Sequence, residues 1–321
     1  MSPASLPAPS ATKSSTQSRL SLTKPKAVAL FGPTAVGKTA LTEKLFSSGY
    51  EIVNADSIQI YRHLSIGSAK PDEELRKRIP HHLIDIKDPW EEYSAGEFVS
   101  DTERVSEEIR SRGNIPLVTG GTAYYFKQLL YGKPDTPASD PALRAEVAAE
   151  IKEKGARWAW DYLGRVDPVS QSRISVRDVY RISRTIEIYR QTGRPVSSFT
   201  VPDRMRDDYV VIGLMRDKEE LRANIKKRVD QMFREGLYEE VKALRRMGAV
   251  TSWPSMEAIG YREFFKAMES GETSLEAIKE EIVTDTRQYA KRQVTYFKTF
   301  SCRFFHPDDI EGISTFLKDM C

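Results

Sequence analysis

Four short runs along the chain are apolar almost without a break: Ala27–Phe31, Glu51–Ala55, Ile115–Thr119 and Tyr209–Leu214. Runs of this kind predict strands of a parallel sheet covered on both faces. The intervening pattern is polar with apolar residues at helical spacing. It predicts helices over about Lys38–Ser48, Ala95–Arg112, Lys218–Gly236, Tyr238–Met247 and Ser274–Phe297. Strands alternating with helices predict an open α/β sheet. The aromatic cluster Phe300, Phe304 and Phe305 predicts a terminal strand or packing element.

From about Tyr125 to Thr200 the strand pattern is missing. Pro134, Pro137 and Pro141 mark a loop, and the Ala- and Glu-rich run Ala142–Lys154 predicts a helix. Val179, Ile182, Ile186 and Tyr189 fall on one face of a second helix over Asp178–Gln191. Residues 125–200 are therefore expected to form an all-helical subdomain inserted into a core made of 26–124 and 201–321. Residues 1–24, with seven Ser and three Pro, are expected to be a disordered tail ending near residue 25. Their Ser-rich, basic, acid-poor character also leaves an organelle transit peptide open.

Composition narrows the function. The chain has 321 residues and a net charge of +3. Lys13, Arg19, Lys24 and Lys26 stand in a stretch without acids, so taking those four charges from +3 leaves −1 for the remainder. A nucleic-acid surface on this body would have to be a local patch. Cys302 and Cys321 are too few for a disulfide framework or a thiolate zinc site, and two reduced thiols are expected. No run of about 18 apolar residues occurs, and no secretory signal opens the chain. A cytoplasmic protein without membrane contact is expected.

Gly32-Pro33-Thr34-Ala35-Val36-Gly37-Lys38-Thr39 fits G-x-x-x-x-G-K-[ST] between a predicted strand and a predicted helix. Its backbone N–H groups, the helix N-terminus and Lys38 would cradle a diphosphate or polyphosphate, with Thr39 placed to ligate Mg²⁺. A nucleotide kinase is the first mechanistic expectation. It requires an acid at a strand end for Mg²⁺, which Asp56 could supply. Ile115–Thr119 ends instead in Gly120-Gly121-Thr122. The loop by itself leaves the reaction open.

Further motifs carry a resemblance. The segments Gly32–Thr39, Asp56–Arg62, Ile66–Pro71, Pro80–Leu83, Gly120–Thr122 with Tyr125-Phe126, Tyr180–Arg184 and Lys291–Thr295 occur in this order. Together they resemble the tRNA dimethylallyltransferases, also called tRNA isopentenyltransferases, over roughly residues 26–305. The absence of a C-terminal Cys/His finger is similar to the bacterial type. The resemblance implies a P-loop nucleoside-triphosphate-hydrolase-like core and transfer of a dimethylallyl group from dimethylallyl diphosphate to N6 of adenosine 37 in tRNA. It implies Asp56 as the base, Thr34 on the diphosphate near the breaking bond, and Arg228 on the same group, with Mg²⁺ as cofactor. Residues alone would leave Arg228 as one solvated charge in the run Lys226-Lys227-Arg228.

Two basic segments answer the demand for a local patch. Residues 173–194 hold six Arg, and 286–307 interleave Arg287, Lys291, Arg292, Lys298 and Arg303 with aromatic residues. Such surfaces track phosphates and stack bases. Arg177, Arg181 and Arg184 are expected on one helical face. By resemblance, the anticodon stem-loop would lie along Asp56, Ser57, Ile58, Gln59, Thr122, Arg144, Tyr180, Arg181, Ile182, Ser183, Arg184, Gly260, Tyr261, Lys291, Arg292, Gln293, Thr295 and Tyr296. Glu257 is a poor RNA contact, because a carboxylate repels phosphates. A monomer is expected. The alternatives are an adenylate isopentenyltransferase acting on free AMP, ADP or ATP, and a P-loop nucleotide kinase.

Overall fold

A computed structural model describes residues 25–200, 204–271 and 274–320. The expected tail over 1–24 and Cys321 lie outside the described residues. In chain order the elements begin with β1 (Ala27–Phe31), α1 (Lys38–Leu45), β2 (Tyr50–Asn54), α2 (Glu73–Arg78), β3 (His81–His82), α3 (Ala95–Ser111), β4 (Ile115–Gly120) and α4 (Ala123–Tyr131). The helices α5 (Pro141–Lys154), α6 (Ala156–Val166), α7 (Pro168–Arg173) and α8 (Val179–Thr192) follow. The chain closes with β5 (Tyr209–Leu214), α9 (Lys218–Glu235), α10 (Leu237–Arg246), α11 (Arg262–Ser270), α12 (Leu275–Phe297), β6 (Arg303–Phe305) and α13 (Ile310–Met320).

The strands form one sheet in the order β3-β2-β4-β1-β5-β6 with every pairing parallel. The uninterrupted apolar character of β1 follows from its central place. Ala27, Ala29 and Phe31 pack toward α3, α4 and α12, while Val28 and Leu30 pack toward α1, α9 and α13. Phe31 stacks on Phe297 of α12 with ring centroids 4.6 Å apart. Aromatic pairs of this kind add about 0.5–1.5 kcal/mol beyond area burial. They also seat α12 against the strand that feeds the phosphate loop.

β2 breaks its apolar pattern at Glu51 and Asn54. Glu51 is buried and accepts from Arg112 at 2.7 Å, from Asn114 at 2.9 Å, and pairs with His82 at 2.7 Å. The Arg112 hydrogen bond leads the effects that draw its carboxyl down to about 2. This charge ties the segment after α3 to β3, the two-residue edge strand His81-His82. No cluster of His, Cys, Asp or Glu suited to a metal occurs among the described residues.

The helices α5, α6 and α8 enclose a small core of their own around Val147, Ile151, Ala159, Leu163, Ile182 and Ile186. The expected boundary of this unit at residue 125 is wrong. Tyr125, Phe126, Leu129, Leu130 and Tyr131 of α4 belong to the core of the sheet, and the separate helical unit starts only at α5. The apolar face expected for α8 also differs. Ile182 and Ile186 are buried, but Val179 in the first turn is exposed. Arg177 precedes the N-cap Asp178, so it cannot share a helical face with Arg181 and Arg184.

Candidate active site

The loop between β1 and α1 is held open by contacts to its backbone. Gly32 lies against Leu214, where a Cβ would come within 2.8 Å of the Leu214 carbonyl. Ala35 and Gly37 are both left-handed, at φ +60° and +112°, and that curl turns successive amides inward. Outside the curl, Asn224 donates to the Ala35 carbonyl at 3.3 Å and Arg216 Nε to the Val36 carbonyl at 2.8 Å. Gln293 accepts from the Thr34 N–H at 2.9 Å. Lys38 Nζ donates to the Gly32 and Pro33 carbonyls at 2.8 and 3.0 Å. α1 starts at Gly37 without a side-chain cap, so its first amides face the curl, where an anion is favoured.

The neighbouring strand ends complete the wall. Gly120 closes on β2, where a Cβ would stand 2.1 Å from the Ala55 carbonyl, and a Cβ on Gly121 would meet Gln293 at 2.8 Å. Only glycines admit this approach, and it brings Asp56 to the loop. Asp56 Oδ1 accepts from the Ile58 N–H at 2.9 Å and more weakly from that of Gln59 at 3.4 Å. Among the described residues no donor is bound to Oδ2. Thr122 Oγ1 accepts from the Ser57 N–H at 3.0 Å and donates to Ser57 Oγ at 3.3 Å, so it fixes the segment that carries Asp56.

Opposite charges meet here. Burial first, then repulsion from Arg228, draws the Lys38 ammonium down to about 7, with Asp56 opposing both. Burial also lowers Arg228, and again Asp56 opposes. Arg228 reaches the Ser68 carbonyl at 3.5 Å. Gln59 donates to the carbonyls of Ser68 and Ala69, each at 3.1 Å. The phenols of Tyr125 and Tyr289 are raised chiefly by burial, with the Asp56 charge adding to the shift. Asp56, Lys38, Arg228 and Thr34 thus share one cleft at the carboxyl ends of the strands, the customary ligand crevice of such a sheet.

The expected RNA-facing residues are not placed alike. Tyr180 is 72% exposed and the Arg181 side chain 65% exposed. Lys291, Arg292 and Thr295 are exposed along α12, with Tyr296 half-buried beside them. Ser57, Ile58 and Ser183 are half-buried. Arg144 is paired with Glu92 at 2.9 Å.

Four expectations are corrected. Ile182 is fully buried in the core of the helical unit. Tyr261 is fully buried with its hydroxyl on Glu240 at 2.7 Å. Gly260 is buried and donates to Glu263 at 2.8 Å. Gln293 is buried, bridging Thr34 and the Gly121 carbonyl. None of these four presents a side chain to solvent. Arg184 is constrained as well, since it pairs with the buried Glu187 at 2.6 Å and donates to the Pro137 carbonyl at 2.7 Å.

The structure adds Tyr124, 55% exposed on α4 beside the cleft. Burial and then Tyr180 raise its phenol, while burial and then Tyr124 raise Tyr296. Three tyrosines from α4, α8 and α12 therefore lie together with Arg181. The sequence hides this grouping because the three belong to different elements. Arg216 and Asn224 are hidden for the same reason. Their role follows only once β5 is known to lie beside β1.

A phosphate-cradling loop at the carboxyl edge of a parallel sheet, facing a carboxylate and bearing an inserted helical unit, defines a P-loop α/β protein built to act on a substrate with a phosphate group. The family model described as IPP transferase matches residues 59–300, and one described as isopentenyl transferase matches residues 25–85. A tRNA dimethylallyltransferase of Borrelia turicatae is 40% identical over 287 residues, covering 89% of this chain and 96% of that protein. One of Xanthomonas oryzae pv. oryzae is 40% identical over 89% of this chain and 90% of its own length. The crystal structure of the tRNA isopentenylpyrophosphate transferase from Bacillus halodurans superposes with a TM-score of 0.65 at 33% identity, covering 92% and 97% of the two chains. A eukaryotic dimethylallyltransferase acting on tRNA superposes with a TM-score of 0.69 at 29% identity, covering 84% and 69%. The chain belongs to the IPP transferase family, whose curated relatives bear the name tRNA dimethylallyltransferase.

Proposed function

We propose that this protein transfers the dimethylallyl group of dimethylallyl diphosphate to N6 of adenosine 37 in tRNAs reading codons that start with U. The products would be N6-(dimethylallyl)adenosine and diphosphate. The observation that carries this reading is the meeting of an anion cradle and a carboxylate in one cleft. The charge of Asp56 acts on both Lys38 and Arg228. A cradle alone would suit a kinase, but a carboxylate across from it can receive a proton from an acceptor.

The exocyclic amine of adenine is a weak nucleophile. Its nitrogen forms a bond to the allylic carbon while the carbon–oxygen bond to diphosphate breaks. Asp56 Oδ2 takes the N6 proton as this happens, while the Ile58 and Gln59 amides hold Oδ1 and fix the carboxylate plane. The departing oxygens gain negative charge, and the loop amides, Lys38 and Arg228 face them. Thr34 stands on the loop near the breaking bond, its backbone fixed by Gln293. The donor set suits Mg²⁺, which prefers oxygen ligands and keeps most of its water. Thr39 is exposed at the start of α1, and Thr119 Oγ1, one residue before the Gly120 closure, is buried without a partner. Thr39 would hold the ion, which would neutralise diphosphate charge.

Tyr180, Arg181, Lys291 and Arg292 would grip the anticodon stem-loop. The α5–α8 unit gives the chain more surface than a free nucleotide needs, which favours tRNA over AMP as acceptor. A nucleotide kinase could use Asp56 to hold Mg²⁺ but leaves the α5–α8 unit without a use. We place the enzyme in the cytoplasm as a monomer. No helix among the described residues is long and apolar enough to cross a membrane.

The test is incubation with labelled dimethylallyl diphosphate and Mg²⁺, with either bulk tRNA or AMP. Label should enter tRNA and not AMP. Label in AMP alone, or ATP hydrolysis with no label transferred, would overturn the proposal.

A further inference from the structure

The half-buried carboxylate of Glu240 on α10 holds a loop far from it in sequence. Oε2 accepts from the N–H groups of Ser65 and Ile66 at 2.9 and 2.8 Å, and Oε1 from that of Gly67 at 3.1 Å. Tyr261 Oη donates to Oε1 at 2.7 Å. Three successive amides converging on one anion form a nest of the kind that ordinarily binds a ligand. Here the chain supplies the anion itself.

The grip is tight. Tyr261 lies so close under Gly67 that a Cβ there would come within 2.5 Å of its ring. The loop is closed by Ser68 Oγ on the Leu64 carbonyl at 2.6 Å and by the Lys70 N–H on the Ser65 carbonyl at 3.0 Å. Ala69 adopts a left-handed φ of +47°. The two residues that follow the nest then serve the cleft. The Ser68 carbonyl accepts from Arg228 and Gln59, and the Ala69 carbonyl from Gln59.

We propose that Glu240 is a positioning residue: by gathering the Ser65, Ile66 and Gly67 amides it sets the Ser68 and Ala69 carbonyls that orient Arg228 and Gln59 in the cleft. The inference rests on the function proposed above only in taking Arg228 as a diphosphate contact. Glu240 touches no substrate and acts through those two side chains. Tyr261 belongs to the same device, which explains a buried aromatic in a segment expected to face RNA.

The test measures binding of inorganic diphosphate with Mg²⁺ by calorimetry, in four proteins: wild type, Glu240→Gln, Arg228→Ala and the double variant. Glu240→Gln must turn an NH₂ group toward main-chain N–H donors, so the loop shifts. Its diphosphate affinity should fall about 10-fold with binding stoichiometry unchanged, an effect that vanishes in the Arg228→Ala background. Equal losses in both backgrounds, or no loss in either, would overturn the proposal. Tyr261→Phe removes one of the four hydrogen bonds and keeps the ring under Gly67. It should show the same dependence on Arg228 at about 3-fold, and it carries the test if Glu240→Gln does not fold. Wild-type protein that binds no diphosphate would instead overturn the functional reading, whatever the variants do.

Discussion

The side-chain carbonyl of Gln293 accepts the backbone N–H of Thr34 at 2.9 Å, joining residues 259 apart. The same amide group donates to the Gly121 carbonyl at 2.7 Å. Each end of the Gln293 side chain therefore meets a complementary partner, and the helix that exposes Lys291 and Arg292 is braced directly to the phosphate loop. Gln293→Leu would leave two main-chain groups unpaired, at about 1–3 kcal/mol each. We expect a lower Tm and roughly 10-fold weaker diphosphate binding, with tRNA affinity changed less than about 2-fold. Weaker tRNA binding with unaltered diphosphate binding would restore Gln293 to the RNA surface.

Asp56→Asn keeps the shape of the residue and an oxygen for the Ile58 and Gln59 amides, but it removes the proton acceptor. General-base catalysis is worth about 10²–10⁴-fold. The substitution should lower transfer by that order while diphosphate binding persists. Single-turnover transfer near the wild-type rate would remove Asp56 from the base role.

Lys38 gives a proton-linkage prediction. Its ammonium is drawn down to about 7, by burial first and then by Arg228. Below pH 7 the group is already charged. Above it the free protein is largely neutral there, and a bound diphosphate favours the charged form. Binding at pH 8 should therefore take up close to one proton per site that is not taken up at pH 6. Calorimetry in buffers of different ionisation enthalpy measures the uptake. Lys38→Arg, charged at both pH values, should lose that difference. Equal uptake by the two proteins would contradict the assignment.

How far the sequence reveals this protein depends on whether the determining contacts are local. β1 and the loop after it follow from a run of five apolar residues and a glycine pattern. The sequence places Asp56 at a strand end. It does not reveal that Tyr261, Ile182 and Gln293 are buried, because each meets its partners from a distant segment, while Gly260 is buried with its N–H on the nearby Glu263. Motif spacing can pick out a segment, but it cannot say which of its side chains point outward. The expected start of the insert at residue 125 falls too early for a similar reason. α4 carries no strand pattern, yet its apolar face packs on the sheet.

Arg181 and Arg184 stand three residues apart on α8 and should behave in opposite ways. Arg184 is 28% exposed and neutralises Glu187, which is 1% exposed. Arg184→Ala would strand that carboxylate beside Ser139 and the Asp140 N–H. We expect destabilisation of about 1–3 kcal/mol, below the value for a fully buried pair because one partner meets solvent. Among the described residues Arg181 pairs only with Asp178, at 3.3 Å, and it is 65% exposed. Arg181→Ala should leave Tm unchanged, weaken tRNA binding, and reduce the slope of log affinity against log salt by about 1. Thermal melting and tRNA titrations at several salt concentrations separate the two. A stable Arg184→Ala with a reduced salt slope would make Arg184 a phosphate contact, and an Arg181→Ala with an unaltered slope would make Arg181 a solvated surface charge.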